Sequence, residues 1–393
     1  MEVDFQYHML FQKLKSRYSD ARCGIFCNHT SFLWKDKKYL VRELERIVRL
    51  ETIFIPEHGF FAELQDQQPL SIPNRYDFLE TSAEMISLYH KTEYELMNVL
   101  NQLNLVDLLI IDIQDVGVRY FTYVSLLGRI FEMLKDRSTH ILVIDHPNPA
   151  GRQIEGIPLP ESYESLIGWP GLPHRYGLTL GELARFMKDK TSGKYSLEII
   201  KCQDLDLNRI LPYPSPNIPH PMTPLVYTGQ CLWEGTNVSE GRGTTRPFEI
   251  FGAPFFKKFM TRWTDHWNEV HQEAILRPLI FLPTFHKYNG EYCYGFQLHP
   301  LKIGYHSLWY SLKLIREVRS DLNEFLWREG PYELGSDKTA IELLAGDETL
   351  VNFLNGKEEE RIVREKLREE ERIWQSKCNQ YLLYDEKPRQ IEI

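Results

Sequence analysis

Residues 108–123 read Leu-Leu-Ile-Ile-Asp-Ile-Gln-Asp-Val-Gly-Val-Arg-Tyr-Phe-Thr-Tyr. The first five form the clearest strand of the chain, Leu108 to Asp112, which ends in a polar loop. Phe121, Val124, Leu127, Ile130, Phe131 and Leu134 then recur at helical spacing. The same alternation extends outward on both sides. Upstream lie a strand from Arg22 to Asn28, a helical face of Leu40, Val41, Leu44, Ile47 and Val48, and a strand from Glu51 to Ile55 stopped by Pro56. Leu96, Val99, Leu100 and Leu103 then mark a further helix. Downstream lie a strand from Ile141 to Asp145, a helix opened by the capping box Thr179-Leu-Gly-Glu182 and running through Met187, and a strand from Ser196 to Ile200. Strands alternating with helices predict a parallel, Rossmann-like α/β sheet. Four of its strands end in polar clusters: Asn28-His29-Thr30, Pro56-Glu57-His58-Gly59, Asp112-Ile-Gln-Asp115 and Asp145-His-Pro-Asn148. In such a sheet the carboxyl ends of the strands line the ligand crevice, so these clusters are expected to converge.

A chain of 393 residues is long enough for about two domains of roughly 100–200 residues each. The proline-rich stretch from Leu211 to Pro224 forbids helix and central strand and reads as an ordered crossover. It places the boundary between a sheet domain, residues 1–225, and a smaller α/β (α+β) C-terminal domain, residues 226–393. The second domain has strands at Pro278–Leu282 and Cys293–Leu298 and a long last helix from about Glu359, with Val363, Leu367, Trp374, Cys378 and Tyr381 on one face. With 46 basic against 55 acidic residues and no basic stripe, nucleic acid is not an expected partner. No apolar run approaches the roughly 18–20 residues of a membrane span, and Met1 to Asp20 lacks the uninterrupted apolar core of a signal peptide. The six cysteines show no zinc or disulfide-scaffold spacing. These features predict a soluble cytoplasmic protein, a monomer or homodimer, with reduced thiols.

The loop after the first strand contains no glycine, and Gly241-Arg-Gly-Thr lacks the lysine and the strand–turn–helix setting of a phosphate loop, which disfavours NAD and ATP. With no His-Glu-x-x-His, no His-x-His and no Gly-x-Ser-x-Gly, neither a metal centre nor a serine nucleophile is expected, and no cofactor is assigned. Glu57 stands at a strand end beside His58, placed either as a general acid or as a cap or arginine partner. Asp112 and Asp115 serve to position substrate hydroxyls, to orient a catalytic group, to bind a hard cation (for which two acids and one Gln offer few oxygen ligands), or to cap their loop. Trp233-Glu234-Gly-Thr-Asn237 and Glu240-Gly-Arg242-Gly-Thr244 form either a ligand-gripping loop or a plain surface turn. Two glutamates in separate loops, both able to face one cleft, point to glycoside hydrolysis, in which one carboxyl protonates the leaving oxygen and a second acts as nucleophile or base.

Taken together these motifs resemble a known family. Asn28-His-Thr, Pro56-Glu-His-Gly59, Asp112-Ile-Gln-Asp-Val-Gly-Val-Arg119-Tyr-Phe-Thr-Tyr123, Asp145-His-Pro-Asn148-Pro-Ala-Gly151 and Tyr176-Gly-Leu-Thr179 are similar to those of the NamZ-type exo-β-N-acetylmuramidases. So are Pro214-Ser-Pro-Asn217, Glu234-Gly-Thr-Asn237-Val-Ser-Glu-Gly-Arg242 and Tyr381-Leu-Leu-Tyr384. The resemblance covers nearly the whole chain. It implies a cleft between a Rossmann-like domain and a smaller domain, and removal of non-reducing terminal N-acetylmuramic acid (MurNAc) from peptidoglycan fragments without metal or nucleotide. It assigns Glu57 as the principal acid, Glu234 as the second carboxylate, and Asp112 and Asp115 as groups that orient the sugar or its 2-acetamido group. Arg119 or Arg242 would meet the lactyl carboxylate. His58, Tyr120, Asn28, Asn148, Asn217 and Asn237 complete the expected sugar contacts. The chain departs from the family at His29, where glutamine is common, at His146, where an arginine usually precedes the proline, and from Phe61 to Tyr76. Two other readings remain at this stage: a muropeptide-binding protein without turnover, and an exo-hexosaminidase with another sugar preference.

Overall fold

The computed structural model describes residues 5–65, 76–89, 91–203, 205, 213–270, 273–301, 304–330, 332–333, 336–391 and 393. Leu211, Pro212 and most of the Phe61–Tyr76 stretch lie outside them. Six strands, β1 (Arg22–Cys27), β2 (Arg49–Ile55), β3 (Glu84–Ser87), β4 (Leu108–Asp112), β5 (His140–Ile144) and β6 (Ser196–Ile200), form a parallel sheet in the order β3-β2-β1-β4-β5-β6. Side chains alternate across it. Leu109 and Ile111 of β4 join the core built on the helix Thr122–Leu134, whereas Leu108 and Ile110 join the opposite core with Leu10 and Leu14 of the helix Phe5–Arg17. Both faces are thus covered, as the continuous apolar runs require.

The sequence pattern and the fold part company in three places. The helix near residue 40 spans only Leu40–Leu44. Val48 and Leu50 still enter the same core, but from a turn and the start of β2. Strand β3, Glu-Met-Ile-Ser, is a short edge strand with polar residues at both ends. A further strand, β7 (Ile250–Ala253), carries Gly252 at its centre, and a glycine there argues against a strand on sequence grounds. It pairs antiparallel with β9 (Cys293–Pro300), where Gly252 faces Gly295, and β9 pairs in turn with β8 (Ala274–Phe281). A side chain on either glycine would strike the facing backbone.

This antiparallel sheet and its helices make the smaller C-terminal domain. Its last long helix, Glu360–Cys378, returns to the parallel-sheet domain. There Trp374 Nε1 donates to the carbonyl of Tyr176 at 2.9 Å, and residues 389–390 pair with residues 153–154. Tyr384 donates to the carboxylate of Asp145 just after β5, at 2.6 Å. Among the described residues no helix is long and apolar enough to cross a membrane.

Gly128 shows how tightly the helix Thr122–Leu134 is seated: a Cβ there would lie 2.3 Å from the Trp169 ring. Alanine is intrinsically better than glycine in a helix by about 1 kcal/mol, whereas overpacking costs about 1–3 kcal/mol or more. Gly128→Ala is therefore expected to lower stability in urea denaturation, and the same change made in a Trp169→Leu background to be neutral or stabilising.

Candidate active site

Strand β2 delivers Glu57 into a sharp turn. His58 (φ 74°) and Gly59 (φ 84°) are successive residues in the left-handed region, a conformation a histidine adopts only when its surroundings hold it there. The holding contacts are visible. His58 Nδ1 donates to the carbonyl of Leu64 at 3.0 Å, which leaves Nε2 to accept from the Ser215 hydroxyl at 3.1 Å. The amide of Leu64 returns a bond to the carbonyl of His58. The carboxylate of Glu57, itself buried, accepts from Thr122 Oγ1 at 2.8 Å. Behind it, the Tyr123 phenol sits between the carbonyls of Glu57 (3.1 Å) and Pro214 (2.9 Å) and accepts from the amide of Asn28 at 3.2 Å. Three segments far apart in sequence are thereby tied around Glu57.

Glu234 comes from the other domain, on the single helical turn Cys231–Gly235. One carboxylate oxygen accepts from the Tyr332 phenol; the other lies 2.8 Å from Arg242 Nη1 and accepts from Cys231 Sγ at 3.5 Å. Arg242 stacks over the Phe248 ring, its guanidinium carbon 4.9 Å from the ring centre, and also reaches Glu240 at 3.3 Å. Gly241 and Gly243, both at positive φ, flank it, and a side chain on either would strike backbone. Burial opposes the charge on Glu240, but Lys287, His286 and Arg242 outweigh it and hold the carboxyl well below its ordinary value.

The cleft between the domains is lined by Glu57, His58, Tyr120, Asn217, Glu234 and Arg242 among the residues expected from the sequence, and by Thr122, Ser215, Tyr89, Tyr227, Phe248 and Tyr332 besides. Thr122 and Ser215 sit inside motifs already singled out, whereas nothing in the sequence marks the others. The remaining candidates are not among the lining residues and are spent on internal bonds. Asn28 Oδ1 accepts from the amide and hydroxyl of Thr30. Asp112 is bonded by His146 at 2.7 Å and by Tyr7 at 3.1 Å. Asn148 closes its own turn, and a side chain on Gly117 would strike it. Asn237 caps the chain at Glu324 and Leu326. Arg119 is fully buried, donates to the carbonyl of Leu344 at 2.6 Å, and burial pushes it down to about 10. Asp115 accepts from Tyr176 and from the amide of Gly117, and burial pushes its carboxyl up to about 7. Among the described residues no three His, Cys, Asp or Glu side chains are grouped as a metal ion would require.

The family model for the N-terminal part of the exo-beta-N-acetylmuramidase NamZ matches residues 23–222, and that for its C-terminal part matches residues 225–384. Over 262 residues the chain is 37% identical to the peptidoglycan beta-N-acetylmuramidase NamZ of Bacillus subtilis (strain 168), a match spanning 64% of this chain and 61% of that protein. Two solved structures of DUF1343 family proteins from Bacteroides fragilis share the fold. One superposes with a TM-score of 0.78 at 24% identity, covering 98% of both chains. The other has a TM-score of 0.69 at 27% identity, covering 97% of this chain and 98% of that one.

Asp115 gives a pH test of this geometry. Its carboxyl ionises near 3.8 when the chain is unfolded and near 7 when folded, so the folded state alone keeps the proton in between. The stability it contributes is complete at acid pH and is lost as the pH rises through about 7. Asparagine offers Tyr176 and Gly117 the same acceptor and does not titrate. The stability of Asp115→Asn minus that of the wild type, from denaturant titrations, should rise between about pH 4 and pH 7 by on the order of a few kcal/mol, then level off.

Proposed function

The chain belongs to the exo-β-N-acetylmuramidase NamZ family, and from that membership we propose that it is a glycoside hydrolase releasing non-reducing terminal N-acetylmuramic acid from peptidoglycan fragments. The observation that carries this reading is the meeting of Glu57 and Glu234 in one cleft with unlike partners. The Glu57 carboxylate is bonded by a hydroxyl, that of Thr122. A hydroxyl both donates and accepts, so it serves Glu57 with and without its proton, which suits a group that protonates the glycosidic oxygen and later recovers the proton. Glu234 is bonded instead by a guanidinium and a phenol, which fix a negative charge in place. Such a charge stabilises the oxocarbenium-like transition state or the group that attacks it.

Arg242 is the arginine of the cleft wall, and we assign it to the lactyl carboxylate that distinguishes muramic acid from glucosamine. Asp112, Asp115 and Arg119 act from behind the wall, holding the loop that presents Thr122 and the contact with the second domain. All six cysteines are buried thiols, which suits a reducing compartment, and the proposal places the enzyme on imported fragments in the cytoplasm.

Chromogenic β-N-acetylmuramide and β-N-acetylglucosaminide, assayed side by side, test the reading. The muramide should be cleaved and the glucosaminide spared. Glu57→Gln should reduce turnover by about 10²–10⁴-fold while calorimetry still detects the saccharide. Full activity in that variant removes Glu57 as the acid; cleavage of the glucosaminide alone makes the protein a different hexosaminidase, and binding without turnover in the wild type makes it a saccharide-binding protein. Arg242→Ala should depress kcat/KM on the muramide more than on any glucosaminide that is turned over; equal losses would leave Arg242 as a support for Glu234 only.

A further inference from the structure

Resting on the assignment of Glu234 as a working carboxylate, we propose that Lys287 is a positioning residue for that carboxylate and for Arg242, acting through Glu240 and the backbone that carries both. Lys287 is not among the lining residues of the cleft. Its ammonium has three donors, each with an acceptor at 2.9 Å: the carbonyls of Trp233 and Val238 and the carboxylate of Glu240. The two carbonyls stand on either side of Glu234 in sequence, so one cation ties both ends of the loop that presents it.

The charge balance gives the second half of the argument. Arg242 Nη1 lies between two carboxylates, Glu234 at 2.8 Å and Glu240 at 3.3 Å. Glu240 is fully buried, and a buried carboxylate takes whatever cation is in reach. With Lys287 in place it has a second cation, and Arg242, shared between the two carboxylates, keeps its shorter contact with Glu234. Without Lys287, the cation closest to Glu240 is Arg242, because the other facing group, His286, at 3.3 Å, is charged only when protonated. The groups facing Glu234 are Arg242, Tyr332 and Cys231, so withdrawal of the guanidinium removes its sole basic partner among the described residues.

The turn that delivers Lys287 is built for the purpose. His286 (φ 64°) and Tyr288 (φ 58°) flank it in the left-handed region, where neither side chain is at ease. The amide and hydroxyl of Thr284 both reach the carbonyl of Gly243 at 2.9 Å. One short segment therefore grips the Arg242 loop at Gly243 and the Glu234 loop at Trp233 and Val238.

Steady-state kinetics on the chromogenic muramide, with thermal melts of each protein, test the proposal. Lys287→Met should lower kcat on the muramide roughly 10- to 100-fold through the displaced Glu234 and raise KM through the displaced Arg242. Combining it with Glu240→Gln removes the charge that draws Arg242 away, and kcat should recover roughly tenfold or more over the single variant. A role confined to the backbone carbonyls gives no such recovery. If Lys287→Met does not fold, the double variant still decides: folded with kcat near wild type, it supports the proposal; folded and as slow as the single variant predicts, it overturns it. An active wild type with an unimpaired Lys287→Met variant overturns this inference alone, whereas an inactive wild type overturns the glycosidase reading and this inference with it.

Discussion

In the parallel sheet β1 and β4 are neighbours, with Cys27 opposite Asp112 at their carboxyl ends. The chain leaving β1 nonetheless passes to the β2 side through Leu40, Val41 and Leu44 on one face of the sheet. The chain leaving β4 passes to the β5 side through the helix Thr122–Leu134 on the other. Two connections diverging from adjacent strand ends open a crevice that neither can fill. The loop after β4 begins at that crevice, and its helix start, at Thr122, reaches Glu57 after β2. Glu57 and the contacts that hold it are arranged around this divergence.

Strand-end polar residues turn out to divide into two kinds of work. Glu57 and His58 face the cleft. Asn28, Asp112, Asp115 and Asn148 occupy equivalent places at the ends of β1, β4 and β5, yet their side chains are consumed in closing turns and joining neighbouring loops. The second kind makes the first possible. A left-handed histidine and a buried carboxylate persist only where surrounding bonds over-determine the backbone. The Tyr123 phenol, held by Asn28 and reaching both Glu57 and Pro214, is the clearest instance.

This division also explains what could be read in the sequence. Buried parallel strands are apolar runs between turn signals, so β1, β2, β4 and β5 were legible, and β6, a partly buried edge strand, was legible as the apolar run that follows the capped helix. β3 and β7 were not, because a short polar-ended edge strand and a glycine-centred strand carry no periodic signature. For the site, sequence order located the strand ends but not which polar side chain turns outward, since capping and ligand contact draw on the same residue types. Glu57, Glu234 and Arg242 were named from motif and chemistry. Tyr332 and Lys287 were not, because their roles exist only through contacts with loops remote in the chain, and neither lies in a recognisable pattern.

The two carboxylates come from different domains, so their relation depends on how firmly the domains are joined. The joints are buried and polar. Arg119 donates to the carbonyl of Leu344, His174 bonds the carbonyl of Ala345 at 2.9 Å, and the Tyr120 phenol donates to the carbonyl of Thr228 at 2.8 Å. Gly346, at positive φ, is the residue that allows Arg119 this close, since any Cβ there would lie 2.5 Å from the guanidinium. Sliding one domain on the other would orphan each of these groups in a dry interior, at about 1–3 kcal/mol apiece and more for the arginine. Apolar contact alone would tolerate small slips; directional bonds to backbone carbonyls do not. The cleft is therefore stiff where Glu57 and Glu234 line it, and the loops bearing Arg242, Lys287 and Tyr332 are left to set the finer position of Glu234.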